Sequence, residues 1–289
     1  MLVKTEAFVL RNRKMNESDS LLHLFSRKLG RISAVAKGAR RSRSRFLAGV
    51  QPFVYSDFVL YSGRNLYTVN HVEPLRTFYS LREDYGKLSV ASYMMELAEA
   101  EINEGQKNHR LFQLLGKGLT LTSCLENTPH ALVRSFELQF VQLAGYEPQL
   151  NHCLECSLWE DHGTHWFSVR MGGVLCDKCR HMDPAAFPLT LTCLRLMHTL
   201  LNRKIEETSC LRLRSDLNNE LSSLMEKYLL FQLDRHTFRT RRFLENTMDH
   251  SHRVKAFSSQ ELIKPLTGDM ESDTFKKNEK QQCSHEQKE

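Results

Sequence analysis

The chain has 289 residues, 41% apolar and 26% charged, with 40 Lys and Arg against 34 Asp and Glu for a formal net charge of +6. That balance is ordinary for a soluble globular protein and excludes collagen, a coiled-coil rod and a wholly disordered chain. No stretch approaches the ~18 uninterrupted apolar residues of a membrane span, and Met1-Leu2-Val3-Lys4-Thr5-Glu6 does not read as a secretory leader. At roughly 100–200 residues per domain, the length suggests two domains, or one with an attachment.

Charge is spread unevenly. Residues 1–80 hold 14 basic and 5 acidic residues, whereas residues 81–289 hold 26 and 29. From Ser20 to Ser56 there is no acid, and the same stretch carries Arg27, Lys28, Arg31, Lys37, Arg40, Arg41, Arg43 and Arg45, with Asp19 and Asp57 at its borders. Uncompensated cations repel one another, a cost that a polyanionic partner relieves. The bland alternative is a solvated loop, since a basic run alone is weak evidence.

Residues 1–75 read as five short strands. Leu2 to Arg11 alternates, with Val3, Thr5, Ala7 and Val9 on one face. Leu21–Phe25 and Arg31–Ala36 form a hairpin around Arg27-Lys28-Leu29-Gly30, where Gly supplies a positive φ. Phe53–Tyr61 is rich in aromatic and β-branched residues after Pro52, and Leu66–Val72 follows the Ser62–Asn65 turn. This spacing suits a small closed or partly open barrel. The one long connection, Gly38 to Gly49, holds Ala39-Arg40-Arg41-Ser42-Arg43-Ser44-Arg45, whose guanidinium and hydroxyl groups suit phosphate contacts. Phe25, Phe53, Tyr55, Tyr61 and Tyr67 are candidates for base stacking or for the barrel interior.

Beyond residue 80 the period changes to that of helices. Leu88, Ala91, Met95, Ala98 and Ile102 form one stripe, and Leu132, Phe136, Phe140 and Leu143 a second, with Thr128 and Pro129 as N-cap and first turn and Gly145 as the closing glycine. Leu191, Leu194, His198 and Leu201 make a third; Leu213, Leu217, Leu221, Leu224, Tyr228 and Phe231 a fourth. Residues 250–289 contain nine apolar residues among forty, too few to fold alone, and read as a disordered polar tail.

Four of the eight cysteines stand in two pairs, Cys153-x-x-Cys156 and Cys176-x-x-Cys179, with nineteen residues between the pairs. That is the spacing of a structural zinc site, two knuckles closing one tetrahedron. Between them His165–Leu175 reads as two strands around Gly172-Gly173, the layout of a zinc ribbon. Four thiolate ligands leave no open position, so one structural Zn2+ per chain is expected. Two disulfides are the rival, disfavoured in a reducing compartment, and a redox pair is a further alternative. His152, His162, His165 and His181 lie nearby and could replace a ligand, while Cys124, Cys193, Cys210 and Cys283 show no ligand spacing.

Phosphate-loop, nucleophile-elbow, zincin and dinucleotide-binding motifs are all missing, so a binding protein is expected, not an enzyme. A zinc-dependent hydrolase would need an open metal position.

Taken in order, Asp19-Ser20, Gly30-Arg31-Ile32-Ser33, Lys37-Gly38-Ala39-Arg40-Arg41 with Ser44, and Leu47 to Phe53 resemble the RecO family of bacterial recombination mediators. Gly145-Tyr146-Glu147-Pro148 before Cys153, and Gly172-Gly173-Val174-Leu175 before Cys176, extend the resemblance over most of residues 1–245. It implies an α+β multidomain chain: an N-terminal five-stranded OB-fold β-barrel in residues 1–80 that binds nucleic acid, then an α-helical domain in 81–249 with a four-cysteine zinc-ribbon segment at 151–181. It further implies a cytoplasmic, nucleoid-associated protein that binds single- and double-stranded DNA, anneals complementary strands, works with RecR, and helps RecA displace single-strand-binding protein. In such a barrel the groove would be lined by the eight cations from Arg27 to Arg45. An OB-fold with a zinc ribbon also suits RNA, which stands as the alternative.

Overall fold

The computed structural model describes residues 1–64, 66–125, 129–158 and 164–248. Five strands, β1 (Leu2–Lys14), β2 (Ser20–Ser26), β3 (Gly30–Ala36), β4 (Tyr55–Ser62) and β5 (Tyr67–Arg76), close into a barrel in the order β1-β2-β3-β5-β4. β1 is shared between two neighbours. Its first half pairs with β4 from Leu2↔Tyr61 to Phe8↔Tyr55, and its second half pairs with β2 from Ala7↔Ser26 to Lys14↔Ser20. A register shift between Val9 and Arg11 bends the strand from one partner towards the other, as bulges do. The parallel pairing of β3 with β5 at Ala34↔Tyr67 and Val35↔Thr68 closes the ring.

Alternation explains the interior. Ala7 and Val9, Leu22 and Leu24, Ile32, Ala34 and Ala36, Phe58 and Leu60, and Val69 and Val72 meet in one apolar cluster. Gly30, at φ +72°, makes the tight β2–β3 turn as expected. Phe53 departs from expectation: it precedes β4, at a left-handed φ of +70°, where its N–H bonds the Val9 carbonyl at 3.1 Å. The aromatic run therefore begins as a turn, and pairing starts two residues later. The long connection is also more ordered than its composition suggests, because Ala39, Phe46 and Val50 belong to the barrel core.

The second compact unit begins at Phe78. Its helices are α1 (Ser80–Glu83), α2 (Tyr85–Glu101), α3 (His109–Cys124), α4 (His130–Leu143), α5 (Leu191–Asn202), α6 (Ile205–Thr208), α7 (Ser215–Gln232) and α8 (Arg241–Met248). Between α4 and α5 lies a three-stranded sheet ordered β7-β6-β8, made of β6 (His165–Ser168), β7 (Gly173–Cys176) and β8 (Phe187–Leu189). Among the described residues no helix is long and apolar enough to cross a membrane.

Two helices, α2 and α4, are buried on far more than one stripe. In α4 every residue from Ala131 to Leu138 is buried, together with Phe140 and Val141, while Leu143 is only half-buried. Its C-terminus closes as anticipated: Gly145, at φ +90°, donates to Gln142 and Tyr146 donates to Val141, the paired bonds of a Schellman motif. Its start differs, because Pro129 is the flanking cap residue and Thr128 lies outside the described residues. α3 had no counterpart in the pattern. Gly118 lets it approach its neighbours, since a Cβ there would stand 2.9 Å from Met94 Sδ and 3.0 Å from the Phe136 ring. On α5 the buried face is Cys193, Leu194, Met197, Leu200 and Leu201, leaving His198 exposed. On α7, Leu221, Leu224, Met225, Tyr228 and Leu229 are buried, whereas Leu213 precedes the helix and Phe231 is exposed.

Between these helices sits a buried ionic cluster. Glu137, with no solvent exposure, accepts from Arg134 at 2.6 Å, from the Tyr93 hydroxyl at 2.7 Å and from Arg241 at 3.4 Å. Burial first, then the Glu137 charge, push the Tyr93 phenol well above its ordinary range. The Arg241 guanidinium loses hydration on burial, yet Tyr93, Glu137 and Glu226 hold it charged. The chain entering α8 is held by Glu96, whose carboxylate accepts from the backbone N–H groups of Arg239 and Thr240 at 3.1 and 2.9 Å.

Candidate nucleic-acid interface and metal centre

The basic connection leaves the barrel beside the β1–β2 turn, and a small polar network joins the two. Asn16 Oδ1 accepts from the backbone N–H groups of Ser18 and Asp19, shaping the turn. Asp19 Oδ1 then accepts from the Gly38 N–H at 2.7 Å, and the Ser18 carbonyl accepts from the Arg40 N–H at 3.0 Å. The Gly38 bond, followed by those from Asn16 and Ser18, holds the Asp19 carboxyl below the usual carboxylate range. From Gly38 the chain turns repeatedly, through Arg41 N–H to the Gly38 carbonyl, Ser44 N–H to Arg41, and Leu47 N–H to Ser44. Asn12 donates to the Val50 carbonyl at 2.9 Å, and the Ser56 hydroxyl donates to Gly49 at 2.9 Å. With Ala39, Phe46 and Val50 inside, Lys37, Arg40, Arg41, Arg43 and Arg45 are all exposed. Arg45 is steadied further, stacking on Phe46 at 4.9 Å and donating to the Asn70 carbonyl.

The eight cations do not form one cluster. Arg27 and Lys28 lie in the β2–β3 turn and Arg31 at the start of β3, opposite Phe25. At ~3.3 Å per residue, the seven residues of β2 place that turn roughly 20 Å from the Ser20 end. Arg27 pairs with Glu6 at 3.1 Å, and Glu6 also accepts from the Tyr55 hydroxyl at 2.6 Å. Burial opposes the Glu6 charge, but Tyr55 and Arg27 outweigh it and lower the carboxyl's pKa. Lys28 Nζ donates to the Lys4 carbonyl at 3.2 Å.

The fold adds cations that the acid-free run did not include. β1 continues to Lys14, and the register Arg13↔Leu21, Lys14↔Ser20 and Ser20↔Ala36 carries exposed Arg13 and Lys14 to the end of the barrel where Lys37 begins the loop. Strand pairing was the missing signal, because Glu17 and Asp19 separate these cations from the run in sequence. Of the aromatic candidates, Phe25, Phe53 and Tyr55 are buried, Tyr67 is half-buried against the core, and Tyr61 is 49% exposed.

In the second unit the two knuckles converge. The four Sγ atoms of Cys153, Cys156, Cys176 and Cys179 lie within 4.8 Å of one another. The Cys156–Cys176 separation is 3.8 Å, which matches the edge of about 3.8 Å in a sulfur tetrahedron built with Zn–S bonds of about 2.3 Å. The Cys176 N–H points at Cys153 Sγ at 3.4 Å, a contact suited to a thiolate. Burial raises the Cys153 pKa, while N–H groups of Cys156, Cys176 and Glu155 bring it down to about 7. Cys179 is pushed up to about 12, chiefly by sharing a proton with Cys176 and then by burial. Four thiolates so close need a cation between them, so this donor set fits a structural zinc ion.

The surrounding ribbon is built to hold the knuckles. β6 and β7 pair from His165↔Cys176 to Ser168↔Gly173, around the expected Gly172-Gly173 turn. Gly173 is required there, since a Cβ would meet the Gln149 carbonyl at 2.7 Å. Leu154 donates to Val174, and Gln149 exchanges bonds with Gly172 and Val174. Phe167 meets Tyr228 of α7 edge-on at 5.4 Å, and the Tyr228 hydroxyl donates to Tyr146. Of the neighbouring histidines, His165 is buried, His181 is exposed with Nδ1 2.9 Å from the Lys178 carbonyl, and His162 lies outside the described residues. Among the described residues no histidine joins the cysteine cluster. Cys193 is buried, Cys124 and Cys210 are exposed, and Cys283 lies outside the described residues.

The chain is similar in sequence to known proteins along most of its length. The family model described as "Recombination protein O N terminal" matches residues 1–78, and "Recombination protein O C terminal" matches residues 82–242. The chain is 44% identical over 239 residues to the DNA repair protein RecO of Alkaliphilus metalliredigens, covering 82% of this chain and 96% of that one. It is 32% identical over 245 residues to RecO of a Thermoanaerobacter species, covering 85% and 98%. With RecO of Symbiobacterium thermophilum it shares 33% over 246 residues, covering 84% and 97%. An OB-type barrel followed by a helical unit with four clustered cysteines, matched along nearly its whole described length, belongs to the RecO family of DNA repair and recombination proteins.

Proposed function

We propose that the chain binds single- and double-stranded DNA without sequence preference, anneals complementary strands, and with RecR helps load RecA onto DNA coated with single-strand-binding protein. It acts in the cytoplasm, at the nucleoid, as a mediator that makes and breaks no covalent bond. The observation that carries this reading is the anchored basic loop. Arg40, Arg41, Arg43 and Arg45 project from turns whose apolar residues are fixed in the barrel, beside exposed Lys37, Arg13 and Lys14. Cations that must not collapse onto their own protein suit phosphates of a flexible strand. Neutralising phosphates on two strands lowers their repulsion, so annealing needs no ATP. Arg27, Lys28 and Arg31 provide a second, separate set of cations along the same barrel. Cys153, Cys156, Cys176 and Cys179 hold one zinc ion whose part is to cross-link the ribbon.

Two complementary labelled oligonucleotides coated with single-strand-binding protein, mixed with this protein without ATP, test the proposal. Rapid annealing supports it; none, with stronger binding to matched RNA, overturns it. With about six phosphates neutralised on a single strand, the log–log salt slope of affinity is near −4. A salt-independent affinity rejects the loop as the site.

A further inference from the structure

We propose that Asp19, an acid amid the cations of a DNA-binding surface, is the positioning residue that aims the basic loop. The inference rests on the reading of that loop as the DNA site. By charge alone Asp19 is misplaced, since it stands beside Lys37 and two residues along the chain from Glu17, where a phosphate strand would be repelled. Its geometry gives another role. One carboxylate oxygen accepts from the Gly38 N–H at 2.7 Å and from the Ser18 hydroxyl at 3.0 Å, while the other accepts from Asn16 at 2.8 Å. Gly38 sits at φ +69°, a conformation open to glycine, so the loop leaves β3 through its most pliable residue. The Asp19 bond fixes that residue, and the Arg40 N–H bond to Ser18 repeats the attachment two residues later. The next buried side chain after Ala39 is Phe46, and Arg40 and Arg41 lie on the latch side of that gap, so they depend on this latch for their direction.

Three substitutions in the full chain separate position from charge. Asp19→Asn keeps an oxygen for Gly38 and Ser18, removes the charge and gives up only the exposed bond from Asn16. Asp19→Glu keeps the charge and displaces the oxygen, and Asp19→Ala loses both. Anisotropy with a labelled oligo-dT strand across a salt series reads the result. Tighter binding by Asp19→Asn, with several-fold weaker binding by both Asp19→Glu and Asp19→Ala, is expected. The salt slope of the weakened pair becomes shallower by about 0.7 for each phosphate of the single strand that is no longer neutralised. Amide exchange at Gly38 should quicken in Asp19→Glu and Asp19→Ala alone, and Asp19→Glu still decides the matter if Asp19→Ala fails to fold. If Asp19→Asn and Asp19→Ala both bind more tightly while Asp19→Glu matches the parent, Asp19 acts only as a repelling charge and the latch is wrong. A parent-like affinity for the Arg40, Arg41, Arg43 and Arg45 quadruple alanine variant would instead remove the loop as the DNA site.

Discussion

Arginines at two places in this molecule have opposite circumstances. Those of the barrel loop, Arg40, Arg41, Arg43 and Arg45, stand in water on turns fixed by apolar side chains beneath them. Arg134 and Arg241 of the helical unit are 2% and 3% exposed, and both are spent on the same carboxylate, Glu137. A hydrated guanidinium costs the fold little and stays available to an anion from outside. A buried one is worth having only while its partner is present, because a lone charge in the interior is severely penalised. The same side chain thus stays open to an outside anion in one unit and serves as an internal fastener in the other.

The contrast can be tested by how stability and DNA affinity respond in each region. The largest loss of stability is expected from Cys176→Ser with Cys179→Ser, which removes half of the proposed zinc ligand set; in isolated zinc fingers such a metal contributes about 10–16 kcal/mol. The protein should lose its one equivalent of zinc, measured by elemental analysis, and the helical unit should melt far earlier. Parent protein purified without metal would contradict it. Next, Glu137→Gln leaves buried Arg134 without a counter-charge and Arg241 with Glu226 alone, and should cost about 3–5 kcal/mol in denaturant unfolding. A loss under about 1 kcal/mol would mean that water reaches the cluster.

In the barrel, Phe46→Ala should cost about 3 kcal/mol and also weaken DNA binding, because the plug beneath the arginines is gone. Equal affinity with reduced stability would separate the loop's packing from its task. The quadruple loop variant should change stability by no more than about 0.5 kcal/mol per site while abolishing most binding. Acid gives the mildest test. The carboxyls of Glu6 and Asp19 titrate below their ordinary values, so their contribution is full above the unfolded-state pKa of about 4 and is lost as pH falls through the lower folded-state values. Amide exchange at Gly38 should therefore quicken only at strongly acid pH.

Much of this was legible in advance where a local rule decides the structure. Alternation over Leu2 to Arg11 needs only a half-buried sheet, the hairpin of Leu21–Phe25 with Arg31–Ala36 needs only a turn at Gly30, and the cysteine pairs need only a tetrahedron. Gly145 ended its helix because a left-handed residue is required there. What stayed hidden depends on partners distant in sequence. Glu137 and Arg134 lie off the apolar stripe of Leu132, Phe136 and Phe140, and only Tyr93 and Arg241, 44 and 104 residues from Glu137, turn them into core. Arg13 and Lys14 were separated from the basic run by Glu17 and Asp19, yet strand pairing returns them to it. Phe53 looked like the start of a strand because its side chain suits one, whereas its backbone is committed to a turn. Asp19 marked the edge of a charge pattern, and its bond to Gly38 could not be seen without the barrel.

The distance between Glu137 and Arg241 also has a meaning in time. A chain made from its N-terminus completes every strand of the barrel by Arg76, so that unit has all its pairing partners early. The helical unit has no such independence: its central carboxylate, paired with Arg134 from the start, emerges 104 residues before Arg241, the second arginine that bonds it. Until Arg241 leaves the ribosome, α4 carries an incompletely paired acid on a face otherwise ready to be buried. The order of synthesis therefore favours a finished barrel beside a waiting bundle, with α8 as the piece that lets the bundle close.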